Sequence, residues 1–341
     1  MSRSADLAAK GLDSLWYGGN RLGSVFWPAA FVYRKLVALR RLGYRQGWLE
    51  SIDVGIPVVV VGNLTVGGTG KTPLVTWLAR TLRERGFRVG IVCRGYRGEA
   101  AAWPQVVDAA SDVAAVGDEA KLLASRTGCP TVAGPDRVQA AQSLKRRLAL
   151  DVILSDDGLQ HYRLRRAFEI AVIDGTRGLG NGLCLPAGPL REPETRLKQV
   201  DAVVVNEGDF RISGAMHASV HALYAREIAT GDERPLDDFR GRSVHAVAAI
   251  GNPARFFDLL ARHGLDVDPR PLADHAALVA GDLGFDDEAP VMLTEKDAVK
   301  CERFNIGNVW SVVTELEFSP GDGERLIGML VHALERQPEN L

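Results

Sequence analysis

Cysteine is scarce in this chain, and its scarcity closes two lines of explanation. Among 341 residues there are four cysteines, Cys93, Cys129, Cys184 and Cys301, scattered and without a CxxC pair. That excludes a disulfide framework and a cysteine-based zinc site, and it fits a reducing cytoplasm. Long apolar runs are also missing at the N-terminus. The stretch from Val25 to Tyr33 is interrupted by Pro28 and falls far short of the roughly 20 residues that span a bilayer. No signal-peptide run precedes it. Neither sign of charge dominates, with 41 Lys and Arg against 43 Asp and Glu, so no nucleic-acid partner is expected. Low-complexity tracts and clear internal repeats are absent, and nothing points to an obligatory protein partner. What remains is a soluble-type composition, 46% hydrophobic and 25% charged, long enough for two domains with ample core.

Residues 1–50 depart from this balance. They carry eight Lys and Arg against three acids, interleaved with aromatics such as Trp16, Tyr17, Trp27, Phe31 and Trp48. A basic, aromatic-rich amphipathic helical segment lies naturally on an anionic membrane surface. A terminal helix packed on the protein's own core is the alternative.

The most informative stretch is Val58-Val59-Val60-Val61-Gly62-Asn63-Leu64-Thr65-Val66-Gly67-Gly68-Thr69-Gly70-Lys71-Thr72. It reads as a buried strand, a glycine-rich turn, then Lys and Thr opening a helix. Glycines let backbone N–H groups converge on nucleotide phosphates, and the helix start favours negative charge. Lys71 would reach the β/γ-phosphates, and the Thr72 hydroxyl would bind Mg2+. The strict pattern G-x-x-x-x-G-K-[ST] puts its first Gly at position 65, where this chain has Thr65.

Further along, strands are expected at 87–93, 131–133, 151–155, 170–173 and 202–205, alternating with helices at about 72–85, after Gly117, and at 136–147. Such alternation predicts a doubly wound, mainly parallel α/β sheet over 51–210, with ligands beyond the carboxyl ends of its strands. Residues 211–240 read as a polar linker. From 241 to 341 the pattern restarts as a smaller α/β domain, with strands at 244–249, 291–293 and 309–313 and helices from 254 and at 324–334.

Several motifs fall at the expected ligand edge. Asp156-Asp157 ends an apolar strand, where a phosphate-loop enzyme keeps a carboxylate for Mg2+. Gln160 and His161 follow on the same loop, His161 with a surface role as its alternative. Asp118-Glu119 opens a helix after Gly117. Those acids either meet the helix macrodipole or supply a base for an acceptor hydroxyl. Arg94, Arg97 and Arg191 sit in Gly- and Pro-rich loops and could clamp phosphate, or be solvated. Asp274-His275 could tune an imidazole or be structural. Thr294-Glu295-Lys296-Asp297 could bond nucleotide or cap a helix. Asn206-Glu207-Gly208-Asp209 has Glu where a guanine-reading element has Lys, so guanine specificity is not expected.

Taken together these pieces resemble the tetraacyldisaccharide 4′-kinase (lipid A 4′-kinase) family. The resemblance rests on the phosphate loop through Pro73, Arg94-Gly95-Tyr96, Val116-Gly117-Asp118-Glu119 and Asp156-Asp157-Gly158-Leu159-Gln160-His161. It extends through Pro186-Ala187-Gly188-Pro189-Leu190-Arg191-Glu192, Gly251-Asn252-Pro253, Asp274-His275 and Thr294–Lys300. In that family the loop also departs from the strict pattern at Thr65. The resemblance implies transfer of the ATP γ-phosphate to the 4′-hydroxyl of an acylated glucosamine disaccharide 1-phosphate. It also implies a peripheral enzyme on the cytoplasmic face of the bacterial inner membrane. Carried over residue by residue, Thr65, Gly67, Gly68, Thr69, Gly70, Lys71 and Thr72 would bind ATP. Thr72, Asp156, Asp157 and Glu119 would hold Mg2+. Asp118 would act as base, with His275 reaching across an interdomain cleft to pair with it. Lys71 and Arg191 would stabilise transferring charge, and Arg94, Tyr96, Gln160 and His161 would meet the acceptor.

Overall fold

The structure is a computed structural model that describes residues 15–18, 25–304 and 306–336. A helix, α1 (Trp27–Arg45), precedes the sheet. The strands β1 (Val58–Gly62), β2 (Val89–Cys93), β3 (Gln105–Val107), β4 (Thr131–Ala133), β5 (Val152–Asp156), β6 (Phe168–Asp174) and β7 (Ala202–Asn206) form the first block. They alternate with α2 (Lys71–Glu84), the one-turn α3 (Val113–Val116), α4 (Asp118–Thr127) and α5 (Arg137–Arg147). β1, β2, β5 and β6 are buried along their whole length. Continuous β-branched runs such as Val58–Val61 belong to strands covered on both faces. In α2 the buried residues Leu74, Val75, Leu78, Ala79 and Leu82 recur at helical spacing and pack under β1 and β5.

Residues 211–240, read from sequence as a linker, contain β8 (Met216–Glu227), β9 (Glu233–Pro235) and a short 3-10 turn. The second block follows with β10 (Ser243–Ala248), α6 (Pro253–Arg262), β11 (Asp266–Pro271), β12 (Val291–Thr294), α7 (Glu295–Cys301), β13 (Val309–Phe318) and α8 (Asp322–Glu335). One mostly parallel sheet runs through both blocks, in the order β11-β10-β12-β13-β8-β7-β6-β1-β5-β2-β4-β3.

The register of β8 explains where a ligand site must lie. Its start, Met216–Ala218, pairs in parallel with the end of β7. Its remaining length runs on past that edge, roughly 30 Å at 3.4 Å per residue, and pairs antiparallel with β13. The start of β13 pairs in parallel with β12, and β12 with β10. The second block therefore hangs from the far end of the ribbon, with its strands reversed. The carboxyl ends of its strands point back at the carboxyl ends of the first block.

The last helix does not stay with the second block. Leu326, Ile327, Leu330 and Leu334 of α8 are buried in the same apolar cluster as Val59, Leu74 and Leu154. β13 returns the chain to the first core, so the second block proper is built on β10–β12, α6, α7 and the first half of β13.

Candidate active site

A cavity of about 520 Å³ opens between the two facing strand edges. Gly67–Thr72 line one side, following β1 into α2. Gly70 holds φ 84° and caps α2 without any side-chain bond, which leaves the first N–H groups of the helix unpaired by a cap. A Cβ at Gly70 would lie 1.8 Å from Asn206 Nδ2, and Asn206 Nδ2 donates to the Thr69 carbonyl at 3.1 Å. The turn is therefore gripped from the end of β7. Asn63 braces it from within, donating to the carbonyls of Thr65 and Gly67 and accepting from Lys71 Nζ at 3.2 Å.

The register of β1 against β5 sets Val61 opposite Asp156, which brings the acidic pair beside the loop. Lys71 Nζ lies 3.4 Å from Asp157 Oδ1, and Arg191 Nη1 lies 3.3 Å from the same oxygen. Burial opposes ionisation of Asp157, but these two cations outweigh it and hold its pKa at about 2. Asp156 is pushed the other way, by burial and then by the Glu119 charge. Its Oδ1 is buried and has no hydrogen-bond partner in the structure. An orphaned carboxylate oxygen beside this glycine-rich turn is the acceptor that a cation would satisfy. Among the described residues, no three His, Cys, Asp or Glu side chains gather closely enough to hold a metal by themselves.

The opposite wall comes from the second block. His275 Nδ1 lies 3.1 Å from Asp118 Oδ2, and His275 Nε2 lies 3.2 Å from Lys296 Nζ. An ammonium can only donate, so Nε2 accepts from Lys296 and the ring proton sits on Nδ1, pointing at Asp118. Lys296 Nζ also donates to Glu119 Oε1 at 2.8 Å. Lys300 Nζ approaches Asp118 at 3.4 Å and is fixed by the buried Asp297 at 2.8 Å. Burial opposes ionisation of Asp118, but the His275 bond and the Lys296 charge outweigh it and hold the carboxyl at about 2. Tyr96 packs on the His275 ring at 4.7 Å between centroids.

The sequence-derived residues sort into three positions. Gly67, Gly68, Thr69, Gly70, Lys71, Thr72, Arg94, Tyr96, Glu119, Asp156, Asp157, Arg191 and His275 all line the cavity. Asp118 sits behind His275, 5% exposed, and touches the cavity only through it. Thr65, Gln160 and His161 do not line it. Thr65 is held as a strand bridge to Leu190. Gln160 is turned towards the Asn63 carbonyl and Glu192. The His161 ring is held neutral down to about pH 4 by burial and then by the Arg137 charge. Asn63, Asn206 and Lys300 received no individual role from the sequence, and Lys296 was left between bonding nucleotide and capping a helix; here Asn63 and Asn206 brace the glycine-rich turn, and Lys296 and Lys300 approach His275 and Asp118. Their motifs were visible, but their partners are remote in sequence.

Comparison with known proteins identifies the family. A family model described as Tetraacyldisaccharide-1-P 4′-kinase matches residues 22–334. A relative named tetraacyldisaccharide 4′-kinase in Alkalilimnicola ehrlichii is 50% identical over 90% of this chain and 93% of its own. One of the same name in Nitrosococcus oceani is 46% identical over 94% and 95%. A crystal structure described as LpxK from Aquifex aeolicus in complex with ATP shares the fold with a TM-score of 0.77. The two are 27% identical, covering 92% of this chain and 99% of that one. The chain thus belongs to the tetraacyldisaccharide 4′-kinase family.

Proposed function

We propose that this protein transfers the γ-phosphate of ATP to the 4′-hydroxyl of a tetraacylated glucosamine disaccharide 1-phosphate in lipid A biosynthesis. The observation that carries the reading is the placement of two half-sites across one cavity. A phosphate loop ending in Lys71 lies on one wall, and a His275–Asp118 pair projects from the other. The two blocks act as a kinase domain and a smaller domain that meet over the substrates.

ATP lies with its phosphates on the N–H groups of Gly67–Lys71, and the Lys71 ammonium and Arg191 guanidinium meet the charge that spreads over the transferring group. Thr72, Asp156, Asp157 and Glu119 are the residues that would hold Mg2+, which when bound neutralises phosphate charge. The 4′-oxygen attacks the γ-phosphorus and the bond to the β-phosphate oxygen breaks to release ADP, while the hydroxyl proton passes to His275 Nε2 as the Lys296 N–H gives way and Asp118 stabilises the imidazolium. Lys296 leaves His275 the tautomer that donates to Asp118 and holds the ring in place. Arg94 and Tyr96 flank the acceptor. Gln160 and His161 act at one remove by supporting the loop.

The acceptor is a bilayer lipid, and α1 supplies a surface for reaching it. Val25, Trp27, Phe31, Val32, Leu36 and Leu39 are exposed, alongside Arg34, Lys35, Arg40 and Arg45. No helix among the described residues is long and apolar enough to cross a membrane. The protein sits peripherally on the anionic cytoplasmic face of the bacterial inner membrane, with this helix in the interface. Labelled ATP offered with the lipid disaccharide 1-phosphate, with a soluble sugar or with no acceptor tests the function. Label should appear in the lipid. Release as inorganic phosphate without acceptor would identify a nucleotide hydrolase instead.

A further inference from the structure

The helix read as membrane-seated also touches the transfer site from behind. Tyr33, half-buried on the inner side of α1, donates from its hydroxyl to the Arg191 carbonyl at 3.0 Å. The Arg191 N–H donates to the Leu64 carbonyl at 2.6 Å, in the turn that follows β1 into the phosphate loop. The N–H of Val66 donates to the Pro189 carbonyl at 2.9 Å. The Arg191 backbone is therefore clamped between the phosphate loop and α1, while its guanidinium reaches Asp157.

A second path starts one face further along α1. Arg41 Nε lies 3.4 Å from Glu192 Oε2, a carboxylate only 1% exposed. Glu192 accepts from Gln160 Nε2 at 3.1 Å, and the same nitrogen donates to the Asn63 carbonyl at 3.1 Å. Asn63 in turn accepts from Lys71. Arg41 also donates to Gln199. A buried carboxylate needs a compensating cation. Arg41 supplies it together with Arg196, whose Nε is 3.7 Å away.

We propose that Tyr33 and Arg41 are positioning residues for phosphoryl transfer: through them α1 sets the Arg191 loop and, by way of Glu192, Gln160 and Asn63, the Lys71 ammonium. The inference rests on the kinase and membrane readings above. It adds that the outer face of α1 meets the bilayer while the inner face holds the site in register, so the membrane element is also a structural part of the catalytic machinery. Neither residue touches substrate.

The test uses full-length protein with lipid acceptor in mixed micelles. Y33F and R41Q should each lower kcat by about 3- to 10-fold, the cost of one lost positioning bond. KM for ATP should stay within about twofold, since ground-state binding is not what they serve. R41K should recover most of the turnover lost in R41Q. Backbone hydrogen exchange over residues 186–193 should accelerate in Y33F and R41Q without a matching rise across β5 and β6. Sedimentation with anionic vesicles should stay at the wild-type level in both. Wild-type kcat and wild-type exchange in Y33F and R41Q would overturn the coupling. So would equal losses in R41K and R41Q accompanied by exchange rising everywhere. Should the wild type transfer no phosphate to lipid, the kinase reading fails, and the exchange experiment still decides whether α1 holds the loop.

Discussion

Asp157 and His275 face one another across the cavity, and both hold left-handed backbone, with φ of 50° and 57°. Non-glycine residues in that region cost of order 1–3 kcal/mol each and persist where the surroundings over-determine them. Here the determinants are visible: Lys71 and Arg191 fix Asp157, and Asp118, Lys296 and Tyr96 fix His275. Two expectations follow at this scale. Asp118→Ala removes the carboxylate that orients His275, so kcat should fall by about 10²–10⁴, with ATP affinity little changed. Steady-state kinetics beside equilibrium nucleotide binding would check it, and unchanged turnover would remove Asp118 from the proton path. Gly70→Ala forces a Cβ into Asn206 at a φ that alanine rarely adopts. Nucleotide binding should weaken at least tenfold, an expected loss of about 1.4 kcal/mol or more, while circular dichroism stays native. The strand, glycine-rich turn and helix around Lys71, and the acidic pair ending β5, were legible in the sequence because their signals are local and contiguous. Lys296 was left between bonding nucleotide and capping a helix, because its partners Glu119 and His275 are brought to it only by the fold.

At the scale of elements, β8 carries the plainest lesson. Its sequence, MHASVHALYARE, alternates apolar and polar residues from Met216 to Ala222, a period-2 strand signal that the polar composition and flanking glycines of 211–240 masked. What no local pattern reports is its partners, β7 at its start and β13 along its length. The buried strands β1, β5 and β7 were legible because continuous apolar runs have few other uses. α1 is the reverse case, a helix whose apolar residues face outwards. Leu36→Glu puts a charge at a position 61% exposed that takes no part in the Tyr33 and Arg41 bonds. Sedimentation with anionic vesicles should fall several-fold, while thermal stability stays within a few degrees. Within the second block, β10 presents His245 to two carboxylates, Asp268 at 2.8 Å and Asp287 at 2.9 Å, with Phe285 stacked on the ring and Arg270 over Phe285. Burial alone would lower the His245 pKa from 6.5, but the bonds to Asp287 and Asp268 outweigh it and raise it. A raised histidine contributes stability that is fully present below about pH 6.5 and is lost as pH rises through the folded value. The melting temperature of the wild type should therefore exceed that of His245→Phe most at acid pH. The gap should narrow as pH is raised. A gap that widened with pH would contradict the assignment.

Over the whole molecule, the arrangement of the sheet explains why one site needs both blocks. The ribbon of β8 and β13 reverses the second block, so two carboxyl edges confront each other over one cavity. Ion pairs between α4 and the segment around α7 hold them together: Lys296 with Glu119, Arg126 with Glu295, and Lys121 with Glu302. Two runs of alternating strands and helices were legible in the sequence, but neither the single continuous sheet nor the return of α8 to the first core was, since both depend on pairings far apart in the chain. The central claim is that these facing edges bring the γ-phosphate and a sugar hydroxyl together at one defined oxygen. Phosphorus–proton correlation NMR on the product of ATP and the lipid disaccharide 1-phosphate tests it most directly. The account predicts one new phosphorus resonance coupled to H-4 of the distal glucosamine, with the 1-phosphate retained. A phosphate on any other carbon, or inorganic phosphate alone, would contradict it.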